Sequence, residues 1–163
     1  HLKSLQKLTE ISLGSTKVRG DIAHLKSLPK LTDIRLANTS VSGDIAHLKS
    51  LLKLTKIDLN NTGVSGSIEH LKSLQNLTVI DFYECKKVSG SIAHLASLKN
   101  LTDIRLSYTD VTGTSEDLQT ILKLPNLNDK GVGIYWTELQ RLHVNESNVD
   151  SWDLKYRKKM RVR

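Results

Sequence analysis

The stretch "HLKSLPKLTDIRLANTSVSGDIA" (24–46) decides the fold, because nearly the same text stands on both sides of it. Before it reads "HLKSLQKLTEISLGSTKVRGDIA" (1–23). After it come "HLKSLLKLTKIDLNNTGVSGSIE" (47–69), "HLKSLQNLTVIDFYECKKVSGSIA" (70–93) and "HLASLKNLTDIRLSYTDVTGTSE" (94–116). His1, His24, His47, His70 and His94 mark unit starts spaced by 23, 23, 23 and 24 residues. Self-similarity at such a period is the mark of a stacked-repeat architecture. In the quoted unit Ile34 and Leu36 alternate with polar neighbours, which is a strand signature. Leu25, Leu28 and Leu31 recur every third residue, the period of a 3₁₀ turn. One short strand and one short turn cannot bury their apolar edge alone, whereas stacked copies can.

The apolar frame L-x-x-I-x-L-x-x-T-x-V resembles the leucine-rich repeat, L-x-x-L-x-L-x-x-N/C-x-L. The "V-S-G-D-I-A" segment is similar to the plant-type subclass, whose units read L-S-G-x-I-P and place a second strand after the glycine. This chain departs from that pattern in three ways. Ala23, Ala46, Glu69 and Ala93 stand where the subclass has proline, the unit is one residue short of the subclass, and Thr16, Thr39, Thr62 and Thr109 stand where it has asparagine. The resemblance implies a right-handed α/β-type solenoid, with a parallel sheet on its concave face and short 3₁₀ or helical turns on its convex face. Three regions are expected: five repeats over 1–116, a divergent last repeat or cap over 117–150, and a basic tail over 151–163.

Equivalent residues of stacked units form columns, and the outward strand positions line the concave face. Those columns change from unit to unit: Glu10, Asp33, Lys56, Val79, Asp103, and then Ser12, Arg35, Asp58, Asp81, Arg105. Just past the strand, Tyr83 and Tyr108 occupy neighbouring units, with Glu84 beside them. By contrast, Lys26, Lys49 and Lys72, and Ser27, Ser50 and Ser73, repeat. Variation confined to one face marks a binding surface. Its candidate partner-binding residues are Asp33, Arg35, Lys56, Asp58, Asp81, Tyr83, Glu84, Asp103, Arg105 and Tyr108. The face is mixed and net acidic, a poor match for a phosphate backbone and a better one for a protein. Tyrosine is enriched at interface hot spots, so the contact should centre on Tyr83 and Tyr108.

The net charge of +7 is uneven, since 151–163 alone hold six Lys/Arg against one Asp/Glu. Trp152, Tyr156 and Met160 fall on one helical stripe there, among Lys155, Arg157, Lys158, Lys159 and Arg161. Such a tail fits an acidic partner, RNA or a membrane surface. Lys7, Lys30 and Lys53 add to the lysines of the convex side, which would attract an anionic partner.

Catalytic chemistry is not expected. The histidine column runs along a ladder and does not converge on one ion. "GVG" (131–133) lacks the rest of a dinucleotide fingerprint. No cofactor or metal is called for, and no apolar run reaches membrane-spanning length. Asn38, Asn60, Asn76, Asn100 and Asn145 head N-x-S/T sequons, of which the two N-L-T sites arise from the repeat itself. The first unit lacks a polar cap, so Leu2, Leu5, Leu8, Ile11 and Leu13 should present a bare edge, and the chain reads as part of something larger. The expected function is a non-catalytic protein-recognition module. The alternatives are a structural subunit docked by that edge and the tail, and an extracellular receptor- or inhibitor-like domain. Cys85, the only cysteine, falls in the slot where the resemblance admits Asn or Cys and should be a buried, inert residue. The extra residue of its unit lies in Lys86–Lys87, where it lengthens a turn without shifting the strand register.

Overall fold

The computed structural model describes residues 4–127 and the backbone of Val132–Gly133. Each unit contributes one short strand to a parallel sheet: β1 (Glu10–Ser12), β3 (Asp33–Arg35), β5 (Lys56–Asp58), β7 (Val79–Asp81) and β9 (Asp103–Arg105), with β11 (Val132–Gly133) added beside β9. A second strand of each unit builds a second parallel sheet: β2 (Arg19–Asp21), β4 (Ser40–Asp44), β6 (Gly63–Ser67), β8 (Lys87–Ser91) and β10 (Asp110–Thr112). Between the sheets run 3₁₀ helices at Ile22–Ser27, Ile45–Leu48, Ile68–Leu71 and Ile92–Ser97. The stack is therefore a two-sheet repeat solenoid.

The core is one continuous column of Leu, Ile and Val, joined by Phe82 and Cys85 in the fourth unit. Leu28, Leu31, Ile34, Leu51, Leu54 and Ile57 are fully buried. Each such side chain contributes about 1.5–3 kcal/mol relative to exposure, which is how residues of weak intrinsic order acquire a fixed fold. Register follows the core: Ile11, Ile34, Ile57, Ile80 and Ile104 align strand to strand. The 24-residue fourth unit keeps that alignment, and Gly66 still pairs with Val88 as Gly43 does with Val64. Lys86 and Lys87 are exposed, so the additional residue is taken up at the turn.

The second strand sits differently from the subclass expectation. It ends on the Gly-Asp or Gly-Ser pair rather than beginning after the glycine, and the residues after it form the 3₁₀ helix. The reason is a side-chain cap. Asp21 and Asp44 accept from the N–H of Ala23 and Ala46 at 2.7 Å, and Ser67 and Ser91 accept from Glu69 and Ala93 at 3.2 Å. This also explains the missing proline, which has no N–H to donate to the cap.

Two further ladders tie the units together, and a third set of bonds closes each unit's own corner. Thr32, Thr55, Thr78 and Thr102 each donate a hydroxyl to the carbonyl of the equivalent threonine one unit earlier, at 2.9–3.1 Å. Thr16, Thr39, Thr62 and Thr109 donate to the carbonyl three residues back, at 2.6 Å, and so close the corner after each strand. Asn76, Asn100 and Asn126 donate their amides to Leu52, Gln75 and Lys99 at 2.9–3.0 Å.

At the far end, helix α1 (Ser115–Leu122) starts in a capping box between Thr114 and Asp117 and buries Leu118 and Ile121. At the first unit Leu5 and Leu13 are 46% and 45% exposed, whereas Ile11 is buried, and a hollow of about 450 Å³ opens among Leu5, Leu8, Ile11, Val18 and Leu25. Leu2 and most of the 117–150 cap, including the "IYW" segment, lie outside the described residues, as does the whole 151–163 tail with Lys155, Arg157, Lys158, Lys159 and Arg161.

Candidate functional site

The outer face of the larger sheet carries the residues that flank each buried isoleucine. Stacking sets them in two rows: Glu10, Asp33, Lys56, Val79 and Asp103, and Ser12, Arg35, Asp58, Asp81 and Arg105. The charges order themselves internally. Arg35 lies 3.3 Å from Glu10 and 3.2 Å from Asp33, and Arg105 lies 3.3 Å from both Asp81 and Asp103. Each guanidinium is thus held between two carboxylates. Lys56 is exposed and joins no ion pair among the described residues. Asp58 accepts from Asn60 through the side-chain amide at 2.8 Å and the backbone N–H at 3.3 Å.

Asp81 departs from the expectation of an open contact residue. Its side chain is only 7% exposed and is engaged by Arg105 and by the Tyr83 N–H at 3.0 Å. Burial pushes its carboxyl above the usual range, with help from the Asp58 and Asp103 charges and against the Tyr83 N–H and Arg105. Burial lifts Asp103 likewise, against Arg105. Asp81 therefore orders its neighbours and is not available for direct contact. Ser107, in the same column as Tyr83, is fully buried.

Past the strand every unit turns through one residue in left-handed conformation: Ser15, Asn38, Asn61, Glu84 and Tyr108, with φ between 49° and 60°. Asparagine tolerates this region, whereas a glutamate or tyrosine there costs of order 1–2 kcal/mol. Recurrence in every unit makes the geometry a demand of the fold. It holds Tyr108 with half its surface exposed (49%) and its ring edge-on to Tyr83, with centroids 5.4 Å apart and planes at 88°. The two tyrosines do meet, and Glu84 is half-buried in the turn next to Tyr83. The Arg105 cover over Asp81 carries no signal in the sequence, because it comes from 24 residues away. Asn38–Asn61 pairing at 3.0 Å adds a further link along this rim.

No group of three or more His, Cys, Asp or Glu among the described residues could hold a metal. No helix among them is long and apolar enough to cross a membrane. Cys85 is buried, donates to the Leu59 carbonyl at 2.9 Å and lies 3.6 Å from the Thr62 hydroxyl; burial raises its thiol pKa.

No protein-family model matches the chain, and no curated protein sequence matches it. Solved structures do. The ectodomain of the plant membrane receptor kinase GASSHO1/SCHENGEN3 from Arabidopsis thaliana, in complex with CASPARIAN STRIP INTEGRITY FACTOR 2, matches 73% of the chain at 27% identity and a TM-score of 0.64. The Arabidopsis receptor kinase HAESA, in complex with a peptide hormone and a co-receptor, matches 82% at 26% identity and 0.68. An internalin from Listeria monocytogenes matches 78% at 22% identity and 0.61, a likeness of fold alone. The chain spans 15% of the GASSHO1 structure's length, 23% of HAESA's and 35% of the internalin's.

Proposed function

We propose that this chain, a leucine-rich repeat protein resembling the plant-type subclass, is a non-catalytic module that binds a protein partner through the outer face of its larger sheet. One observation carries the reading. The interior, the caps and the threonine ladders repeat from unit to unit, whereas this face changes sign and size at each step and ends in the paired Tyr83 and Tyr108. The fold needs the constant positions and leaves the variable ones free for a partner. With Arg35 and Arg105 already held by carboxylates, Asp58 and Glu84 leave the face acidic beside the aromatic pair. Such a surface suits a protein segment carrying basic side chains. The matched receptor ectodomains, solved in complex with CASPARIAN STRIP INTEGRITY FACTOR 2 and with a peptide hormone and a co-receptor, support recognition of this kind.

Crosslinking mass spectrometry on native material names both partner and face. Tyr83→Ala with Tyr108→Ala should then weaken that complex at least tenfold, as loss of two aromatic anchors does. Deleting 151–163 should leave it intact. If the deletion abolishes binding and the double substitution does not, the chain is a subunit docked by its tail and the face reading fails.

A second reading, an extracellular receptor-type domain, is favoured by the receptor ectodomain matches. Glycans on Asn76 or Asn100 in native material support it, and unmodified asparagines count against it.

A further inference from the structure

The third column after the 3₁₀ helices poses a question that neither the fold nor the binding face answers. At this position the later units carry Asn76, Asn100 and Asn126, and each amide bonds the preceding unit's carbonyl at 2.9–3.0 Å. That is the stabilising choice, since the bond links consecutive units. Lys30 and Lys53 stand in its place in the second and third units and forgo that bond, and Lys7 holds the same position in the first unit; all three are exposed. A second row, Lys26 and Lys49, runs alongside. Lysines there complement the C-terminal ends of their 3₁₀ helices, so the fold accounts for that row and not for the other. None of these five ammonium groups joins an ion pair among the described residues. The field stops sharply at the fourth unit, where Glu69 neutralises Lys72 at 3.0 Å and Asn76 replaces the next lysine.

We infer that this side of units one to three is a docking surface for a linear acidic polysaccharide, sulfated or uronate-bearing. Its charges recur once per unit in two parallel rows, at a step of about 4.8 Å set by strand stacking. A chain whose own anions recur along a line can engage several units at once, whereas like charges so spaced repel one another when bare. Ser50, exposed beside Lys49, offers a hydroxyl, whereas that of Ser27 donates to the His24 carbonyl at 2.9 Å. No Phe, Trp or Tyr occurs among residues 4–81, and the exposed large apolar side chains near these lysines are Leu52 and, at the first unit's edge, Leu5. That is a poor anchor for a bilayer, which takes a broad apolar face.

The test uses the full chain with heparin oligosaccharides and polygalacturonate, titrated at several salt concentrations. The key variant is Lys30→Asn with Lys53→Asn, which restores the inter-unit bonds. Because it creates sequons, the protein is made in a host that does not glycosylate. Binding of at least one polysaccharide is expected, with a steep salt dependence. The variant should lose about tenfold in affinity and about two from the salt slope, roughly one per lysine by analogy with phosphate contacts. Its melting temperature should not fall, which separates lost binding from lost fold. Tyr83→Ala with Tyr108→Ala should bind the polysaccharide as wild type does, so failure here and failure of the protein-binding face remain distinct. The inference is overturned if neither polysaccharide binds, if the variant binds unchanged, or if deleting 151–163 alone removes binding. Tighter binding to polyglutamate or phosphatidylserine vesicles overturns it too.

Discussion

Gly66→Ala probes the joint that locks one unit to the next. Gly66 has φ +106°, and a Cβ there would be driven into the carboxylate of Asp44, the cap of the preceding unit's 3₁₀ helix. Two costs follow. A side chain in this backbone region costs about 1–2 kcal/mol. Pushing Asp44 off the Ala46 N–H removes a helix cap, about 1 kcal/mol more. The total is about 2–3 kcal/mol, which lowers a urea midpoint by about 1 M for a slope of about 2–3 kcal/mol/M. Gly20 supplies the control. Its φ is +127°, yet nothing lies within 4 Å of where its Cβ would stand. Gly20→Ala should therefore cost the backbone strain alone. In a double-substitution cycle, Asp44→Ala should cost about 1 kcal/mol alone and relieve Gly66→Ala by about the same amount. Urea unfolding followed by circular dichroism measures all of these. Equal costs at Gly20 and Gly66, or strict additivity of Asp44→Ala and Gly66→Ala, would refute the interlock.

The buried Asp81 gives a pH dependence of definite sign. A carboxyl whose native pKa is raised makes the folded state bind more protons than the unfolded one. Its contribution to stability is thus best below the unfolded value near 3.8 and declines as pH climbs through the higher native value. Asp81→Asn keeps an acceptor for the Tyr83 N–H, so its unfolding midpoint relative to wild type should rise between pH 4 and pH 7, with the exposed Arg105 contact subtracting less than about 1 kcal/mol. A falling difference would show that Arg105 outweighs the burial. Cys85 should resist a disulfide reagent in the folded protein and react on the order of a thousand times faster in urea, since the thiolate is the reactive form and burial opposes it. Labelling at the unfolded rate without denaturant would contradict its buried placement.

The repeat was legible from residues alone because its period is a packing requirement. The positions of Ile34, Ile57 and Ile80 had to be apolar for any stack to form, and Cys85 could be placed by counting from them. The extra residue at Lys86–Lys87 was legible for the same reason, since the next apolar frame resumes in phase. Counting also put Tyr83 and Tyr108 in neighbouring units and columns, whereas their edge-on ring contact came from the fold.

The rest was decided by neighbours that only stacking supplies. Asp81 reads as a strand residue pointing outward, and it does so, yet Arg105 and the turn at Tyr83 cover it. Thr32 and Thr55 look like ordinary polar neighbours of a leucine, but each reaches the unit before it. The glycine of "S-G-D" looks like turn punctuation, and its decisive partner is an aspartate 22 residues earlier in the chain. The sequence by itself determined the repeat and the core columns, because burial periodicity is written along the chain. Only the tertiary structure decided which polar side chains are caps, ladders or open surface, because those roles depend on what the adjacent unit places within hydrogen-bond reach.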